Sequence, residues 1–317
     1  YVFSRSGGVW AQEAKITASG GAQYDLLGEV VALDDQTALA GRTNDSTQGS
    51  YSGAAFVFAR SGTTWTEQAK LTGADVSTTD YFGNAVAVDG DTAVIGTYRS
   101  NTVQTTAGAA YVFTRSGTTW TEQAKLTAAD LNGGDLFGWN VSLDGDTTLV
   151  GAYKDDEGGK DAGAAYLFSR TGTVWSQQAK LTADDASNGV NVGIDVELEG
   201  ERALIGAFGI GDRGYSAGGA YLFTRSGTVW SQQAKITAPD GEKIDVMGEA
   251  VAIGTGSLLV GVRGDDDNGN AAGAAYFYTL CTDTTVTATQ QAKLTASDAA
   301  QSDNLGRAVD LSGDLLH

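Results

Sequence analysis

The sequence has little material for nucleophilic or histidine-assisted chemistry: its only cysteine is Cys281 and its only histidine is His317. A lone cysteine also excludes an intrachain disulfide and leaves the redox compartment open. No apolar run approaches the length of a membrane span, and no secretory leader is visible. Sustained helical periodicity is missing too. Positive charge is scarce, with 20 Lys and Arg against 39 Asp and Glu, for a net charge of −19. That balance argues against nucleic acid and against an anionic membrane surface as partners. It suits a salty exterior or cation binding.

What is abundant is glycine, 44 residues against one proline, set between short runs of Val, Ala, Leu, Tyr and Phe. That pattern reads as all-β. It also repeats. Trp10, Trp65, Trp120, Trp175 and Trp230 are 55 residues apart, and Lys15, Lys70, Lys125, Lys180 and Lys235 keep the same step. Lys293 follows after 58, so the last repeat carries a three-residue insertion near Cys281 to Ala288, where the tryptophan is also lost. A fixed period of this size means a solenoid, a propeller or an array. A chain of 317 residues exceeds one ordinary core, so its apolar surface is divided among stacked units.

Each repeat contains four strand-like runs. In the third, Gly138 to Leu143 alternates, Asp144-Gly145 supplies a tight hairpin, and Thr147 to Gly151 returns. After a loop of about ten residues come Ala164 to Ser169, a turn at Arg170-Thr171-Gly172, and Trp175 to Thr182. Four antiparallel strands per unit is a propeller blade, whose ring closure removes sheet edges. Small residues are expected on the inner strand, as in Asn84-Ala85-Val86-Ala87 and Ala250-Val251-Ala252. The lysine series on the fourth strands reads as edge protection.

The expected architecture is a single domain, 1–317, of six blades. Their limits are 20–72, 73–127, 128–182, 183–237, 238–295, and 296–317 together with 1–19. That last blade is shared between the termini and closes the ring; seven blades, one outside this chain, is the alternative. The start on Tyr1, inside a repeat, suits a mature form or a piece of a longer protein.

The chain resembles the FG-GAP repeat family, whose repeats build the integrin alpha-subunit propeller and many bacterial and algal extracellular proteins. The resemblance rests on Phe82-Gly83 and Phe137-Gly138, on Val150-Gly151-Ala152 and Ile205-Gly206-Ala207, and on the Gly-Ala-Ala-Tyr-Val-Phe segments, and it covers the entire chain. The resemblance implies an extracellular or cell-surface location. Two departures stand out. The motif's final proline is replaced by Thr43, Tyr98, Tyr153, Phe208 and Arg263. The family's calcium loop between the first two strands is replaced by turns such as Asp89-Gly90-Asp91, too short to wrap calcium with six or more oxygens.

Alternate turns of a blade project to opposite faces. The short first-to-second and third-to-fourth turns share one; the long, variable second-to-third loops and the blade connections share the other, where binding is expected. Three features fall there. Asp pairs, Asp75 and Asp80, Asp130 and Asp135, Asp240 and Asp245, Asp298 and Asp303, recur and read as turn caps. Acidic loops, Asp155-Asp156-Glu157 with Asp161 and Asp265-Asp266-Asp267-Asn268, are either candidate calcium ligands or solvated charge. Aromatic residues Tyr98, Tyr153 and Phe208, with Trp139 nearby, form a candidate ligand-binding arc or pack beneath their own loops.

The functional expectation is an extracellular adhesion or assembly module that recognises a protein or glycan on the long-loop face, with no catalytic residue and no required cofactor, calcium being possible. Other domains of a longer parent chain, or copies of itself, are further candidate partners; nucleic acid and membrane insertion are not expected. The alternatives are a structural subunit of an extracellular fibre and an Asp/Glu-dependent glycan-degrading enzyme.

Overall fold

A computed structural model describes residues 1–21, 23–101, 103–281 and 287–312. The fold is all-β, a six-bladed propeller built from five four-stranded antiparallel sheets and one two-stranded sheet. Blade 1 contains Leu27–Asp34, Thr37–Arg42, Ala54–Ser61 and Thr64–Leu71. Blade 2 follows with Val86–Asp89, Thr92–Thr97, Ala109–Ser116 and Thr119–Leu126, and blade 3 with Val141–Asp144, Thr147–Ala152, Ala164–Thr171 and Val174–Leu181. Blade 4 is Val192–Glu199, Arg202–Ala207, Ala220–Ser226 and Val229–Ile236; blade 5 is Met247–Gly254, Ser257–Val262, Ala274–Cys281 and Thr287–Leu294. Val2–Ser6 and Val9–Ala14 pair as the outer half of the sixth blade. Of its first and second strands, both expected at the carboxyl end, the first would lie at residues 306–312, which form no strand, and the second falls on residues 313–317, outside the described residues. So does most of the inserted turn, at 282–286.

The middle strands are the driest. Ala93, Val94 and Ile95 on the second strand of blade 2, and Ala109 to Val112 on its third, have no exposed surface. Apolar residues on both faces of these strands pack between neighbouring blades, which is why they read as continuous rather than alternating. Phe82, from the segment leading into blade 2, packs edge-on against Tyr111 and Phe113, with ring centroids 5.4 and 6.2 Å apart. Phe137 repeats the contact with Tyr166 and Phe168 in blade 3.

Neighbouring blades are also joined by backbone. Gly53 makes a parallel bridge with Phe82, and the same bridge recurs as Gly108 with Phe137, Gly163 with Val192, Gly218 with Met247, and Gly273 with Leu305. Gly53 has φ +84°, and a Cβ there would run into the Phe82 carbonyl. Glycine is what lets the loop of one blade lie against the lead-in of the next.

The outer strand carries a bulge in every complete blade. In blade 2 the register slips between Glu122 and Ala124, leaving Gln123 unpaired. Trp120 and Lys125 are five apart, so a regular strand would send them to opposite faces. The bulge puts both on the face that carries their cross-strand partners Arg115 and Tyr111. Cation–π contacts follow, Arg115 over Trp120 at 5.1 Å and Lys125 over Tyr111 at 4.9 Å. The bulged glutamine is used between blades, with Gln123 accepting a hydrogen bond from the Trp175 indole at 2.8 Å.

Candidate functional site

The lysine series is not edge protection. From the bulged strand the lysines of the five complete blades reach over the ring of the third-strand aromatic and into the long-loop carboxylates, whereas Lys15 lies exposed over the Tyr1 ring. Lys180 contacts Asp130 and Asp155 at 2.9 Å each and Glu157 at 2.6 Å. Lys293 contacts Asp265 and Asp267 at 2.6 Å and Asp240 at 3.1 Å. Lys235 holds Asp185 and Asp212, and Lys70 holds Asp45. Burial works against the charge of Lys180, but hydrogen bonds to Glu157, Asp130 and Asp155 outweigh it and raise its pKa. Edge protection needs exposed charge; these ammonium groups tie loop to blade.

The same contacts account for most of the acidic loops. Both Asp155 oxygens have protein partners, the Glu157 amide at 2.9 Å and the Tyr166 hydroxyl at 2.7 Å. Asp156 accepts the Asp161 amide at 2.7 Å. Asp266, Asp267 and Asn268 are exposed. Among the described residues no group of three or more potential ligands is arranged to hold a metal ion. With an ammonium at the centre of each cluster, these loops do not fit calcium, which needs six or more oxygens around one point.

The Asp pairs divide their labour. The second member closes a turn: Asp80 accepts the Ser77 amide, Asp135 that of Asn132, and Asp245 that of Glu242, at 2.7 to 2.8 Å. Burial pushes the Asp135 carboxyl up to about 6. In the pairs of Asp75, Asp130 and Asp240 the first member takes the tyrosine and lysine, as Asp75 does with Tyr111 at 2.5 Å and Lys125 at 2.7 Å. At Asp75, burial favours the neutral acid, but the bonds from Lys125 and Tyr111 prevail and lower its pKa.

On the short-turn face the carboxylates are equally committed. Asp34, Asp89 and Asp144 each cap the turn glycine of the next blade, Gly90, Gly145 and Gly200, at 2.7, 2.6 and 2.5 Å. Asp91 and Asp146 hold Arg115 and Arg170.

The long-loop face is where the aromatic residues meet. Tyr98, Trp139 and Tyr153 touch in series, with centroids 4.9 and 4.8 Å apart. Tyr81 stacks on Tyr98 at 5.5 Å and Tyr51 on Tyr81 at 5.9 Å, so five rings from blades 1 to 3 form one ladder. Asn84 fixes its middle, donating to the Gly138 and Trp139 carbonyls at 3.0 and 2.7 Å and accepting the Tyr98 amide at 3.2 Å. Arg99 lies over Tyr81 and Lys154 over Tyr153. Burial raises the pKa of the Tyr98 and Tyr153 hydroxyls, which therefore stay protonated donors. Tyr51 and Tyr81 were not signalled by spacing, since they sit at different places in the repeat. The Tyr81 amide bonded to the Tyr51 carbonyl at 3.1 Å brings them together.

Phe208 has no ring contact with the ladder. It lines a cleft of about 440 Å³ between blades 3 and 4 whose other walls include Tyr153, Lys154, Asp161, Asn191 and Tyr215.

A polar group also stands on the channel side of the inner strands, where blades 2 and 5 have Ala85, Ala87, Ala250 and Ala252. Blades 3 and 4 place Asn140, Ser142, Asp195 and Glu197 at those positions. Asp195 accepts Asn140 at 2.5 Å and the Val251 amide at 2.7 Å. Both acids keep some accessible surface, yet blade walls surround them. Burial pushes Asp195 up to about 7, and burial with Asp195 and Asp310 nearby pushes Glu197 up to about 8. The departure from Ala-x-Ala was the signal in the sequence.

A rigid ring with one structural face and one variable, aromatic-bearing face defines a propeller of the recognition type. The FG-GAP repeat profile matches six times, at 10–58, 65–113, 120–168, 175–223, 230–278 and 288–316, and the chain belongs to the FG-GAP repeat family. Comparison with curated proteins gives no match.

Proposed function

We propose that this propeller is an extracellular adhesion or assembly module that recognises a protein or glycan through its long-loop face, without covalent chemistry. The observation that carries the reading is the five-ring ladder from Tyr51 to Tyr153, drawn from three consecutive blades and fixed by Asn84. Aromatic residues are favoured in recognition surfaces because they offer large contact area at low entropic cost. Membership of the FG-GAP repeat family, whose repeats are typical of extracellular and surface proteins, supports the extracellular reading.

The test is a labelled propeller presented to a printed panel of polysaccharides and purified extracellular-matrix proteins. Binding is expected to be lost in a Tyr98→Ala/Trp139→Ala variant and retained in Asp91→Ala/Asp146→Ala on the opposite face. The reverse pattern would move recognition to the short turns. One observation favours a second reading, an Asp/Glu glycan hydrolase: Asp195 and Glu197 break the repeat symmetry and their pKa values are raised as a general acid requires. Release of reducing ends from any polysaccharide, abolished in Asp195→Asn, would establish it.

A further inference from the structure

The cleft between blades 3 and 4 exists because three repeat positions are filled differently there. Between blades 1 and 2 these positions hold Tyr51, Tyr81 and Tyr98, stacked and filling the boundary. Between blades 3 and 4 the same positions hold Asp161, Asn191 and Phe208, all of which line the cleft. Two rings have been exchanged for two short polar side chains on the same backbone: Tyr81 and Asn191 have φ +58° and +60°, and Tyr51 and Asp161 have +55° and +53°.

We propose that this cleft is a carbohydrate subsite for a neutral hexose unit, and that a longer neutral glycan continues from it onto the ladder through Tyr153, which belongs to both. The proposal rests on the recognition reading above and names its ligand class. Tyr153, Phe208 and Tyr215 supply apolar ring surface from three separate segments, and Tyr215 is 76% exposed. A pyranose needs such faces for its C–H side and mixed donors and acceptors for its hydroxyls, the pairing of apolar walls with a few placed polar groups typical of small-ligand sites.

The polar groups have capacity left over. The Asn191 amide nitrogen donates to the Tyr153 carbonyl at 3.3 Å, leaving its oxygen to accept. The Asn188 oxygen accepts the Lys160 amide at 2.9 Å, leaving its nitrogen to donate. One cation, Lys154, and one anion, Asp161, offset each other in the wall, while the net charge of −19 repels a polyanion. A cleft of about 440 Å³ is in the usual size range for small-ligand sites.

The decisive variant is Asn191→Tyr, which rebuilds in this boundary the ring that Tyr81 places in the other, at a φ a tyrosine already adopts. Calorimetric titration of the propeller with soluble β-glucan and mannan oligosaccharides is expected to show binding of at least one. That affinity should weaken at least roughly tenfold in Asn191→Tyr and in Tyr215→Ala, about 1.4 kcal/mol, with unchanged melting temperature in the exposed Tyr215 variant. The absence of any neutral-oligosaccharide binding up to about 10 mM, where a Kd of about 1 mM would be evident, overturns the proposal. So does preferential binding of polygalacturonate, or binding indifferent to both variants. Ladder-dependent binding of a matrix protein without glycan binding would remove the subsite and leave the recognition face standing.

Discussion

The boundary between blades 1 and 2 and the one between blades 3 and 4 share a backbone and differ in what fills it. Both have the parallel bridge, Gly53 to Phe82 in one and Gly163 to Val192 in the other. Both have left-handed residues at the same places. One is packed with stacked tyrosines and the other is open and polar. The difference teaches that the joint between blades is held below the loop surface, by the bridge, the buried residue that follows it and the lysine cross-ties. Side chains above the joint are then free to vary, as expected where neighbouring units carry the stability.

The largest effect should come from cutting below the surface. Phe82 has no exposed area and packs on Tyr111 and Phe113, so Phe82→Ala should cost roughly 3–5 kcal/mol. Asn191→Gly, on the upper side of the open boundary, keeps the left-handed backbone at φ +60° and should cost only about 1 kcal/mol for its one hydrogen bond. Urea unfolding checks both; equal costs would erase the distinction between joint and filling.

Next come the cross-ties. Lys180→Met leaves Asp130, Asp155 and Glu157 facing one another, and after allowance for partial exposure the loss should be about 2–3 kcal/mol. Lys15→Met, at an exposed lysine that lies over the Tyr1 ring, should change stability by less than about 0.5 kcal/mol. Salt should narrow the gap between the two variants, because screening relieves repulsion among the bared carboxylates.

A smaller effect separates blade 4 from its neighbours by pH. The raised carboxyls of Asp195 and Glu197 bind protons more tightly in the folded state than in the unfolded chain. Their contribution is therefore fully present below about pH 4 and is lost as pH rises through about 7 and 8. The cross-tied acids Asp75, Asp130, Asp185 and Asp240 have lowered pKa values, so their contribution is present at neutral pH and is lost in acid. Melting temperature should accordingly rise by a few degrees from pH 8.5 to pH 5.5 and fall again below pH 4. An Asp195→Asn/Glu197→Gln variant should lose most of the first slope, with Asp135, raised to about 6, keeping the remainder near pH 6, and should keep the second.

The period, the four strands of each blade and the placement of long loops on one face were legible because each is written several times over. The expected arc of Tyr98, Tyr153 and Phe208 with Trp139 nearby meets the structure in part: Tyr98, Trp139 and Tyr153 touch, while Phe208 turns to the cleft. The lysines were misread because their direction depends on a one-residue bulge at Gln123 and its counterparts. A bulge changes parity without changing composition. Tyr51 and Tyr81 were missed because they become neighbours only across the bridge between blades, a contact between unlike positions of the repeat.

The smallest expected effect concerns the acidic loops, and it sharpens the same contrast between filled and open positions. The 265–268 loop is the more demanding case, because Asp265 Oδ1 is buried without a hydrogen-bond partner, whereas its counterpart in Asp155 takes the Glu157 amide. An unpartnered carboxylate oxygen invites a cation, but Lys293 already stands 2.6 Å from both Asp265 and Asp267. Calcium would have to displace that ammonium and leave it among fewer carboxylates. A calcium site filled to a hundred times its dissociation constant would add about 2.7 kcal/mol, visible as several degrees in a thermal melt. We expect less than about one degree between millimolar calcium and a chelator. Lys293→Met should make the loop calcium-responsive, since it removes the competing cation and leaves Asp240, Asp265 and Asp267 around one point. A calcium-dependent melt in the unaltered protein would show instead that the ammonium yields to the metal, and that the cross-tie is a gate.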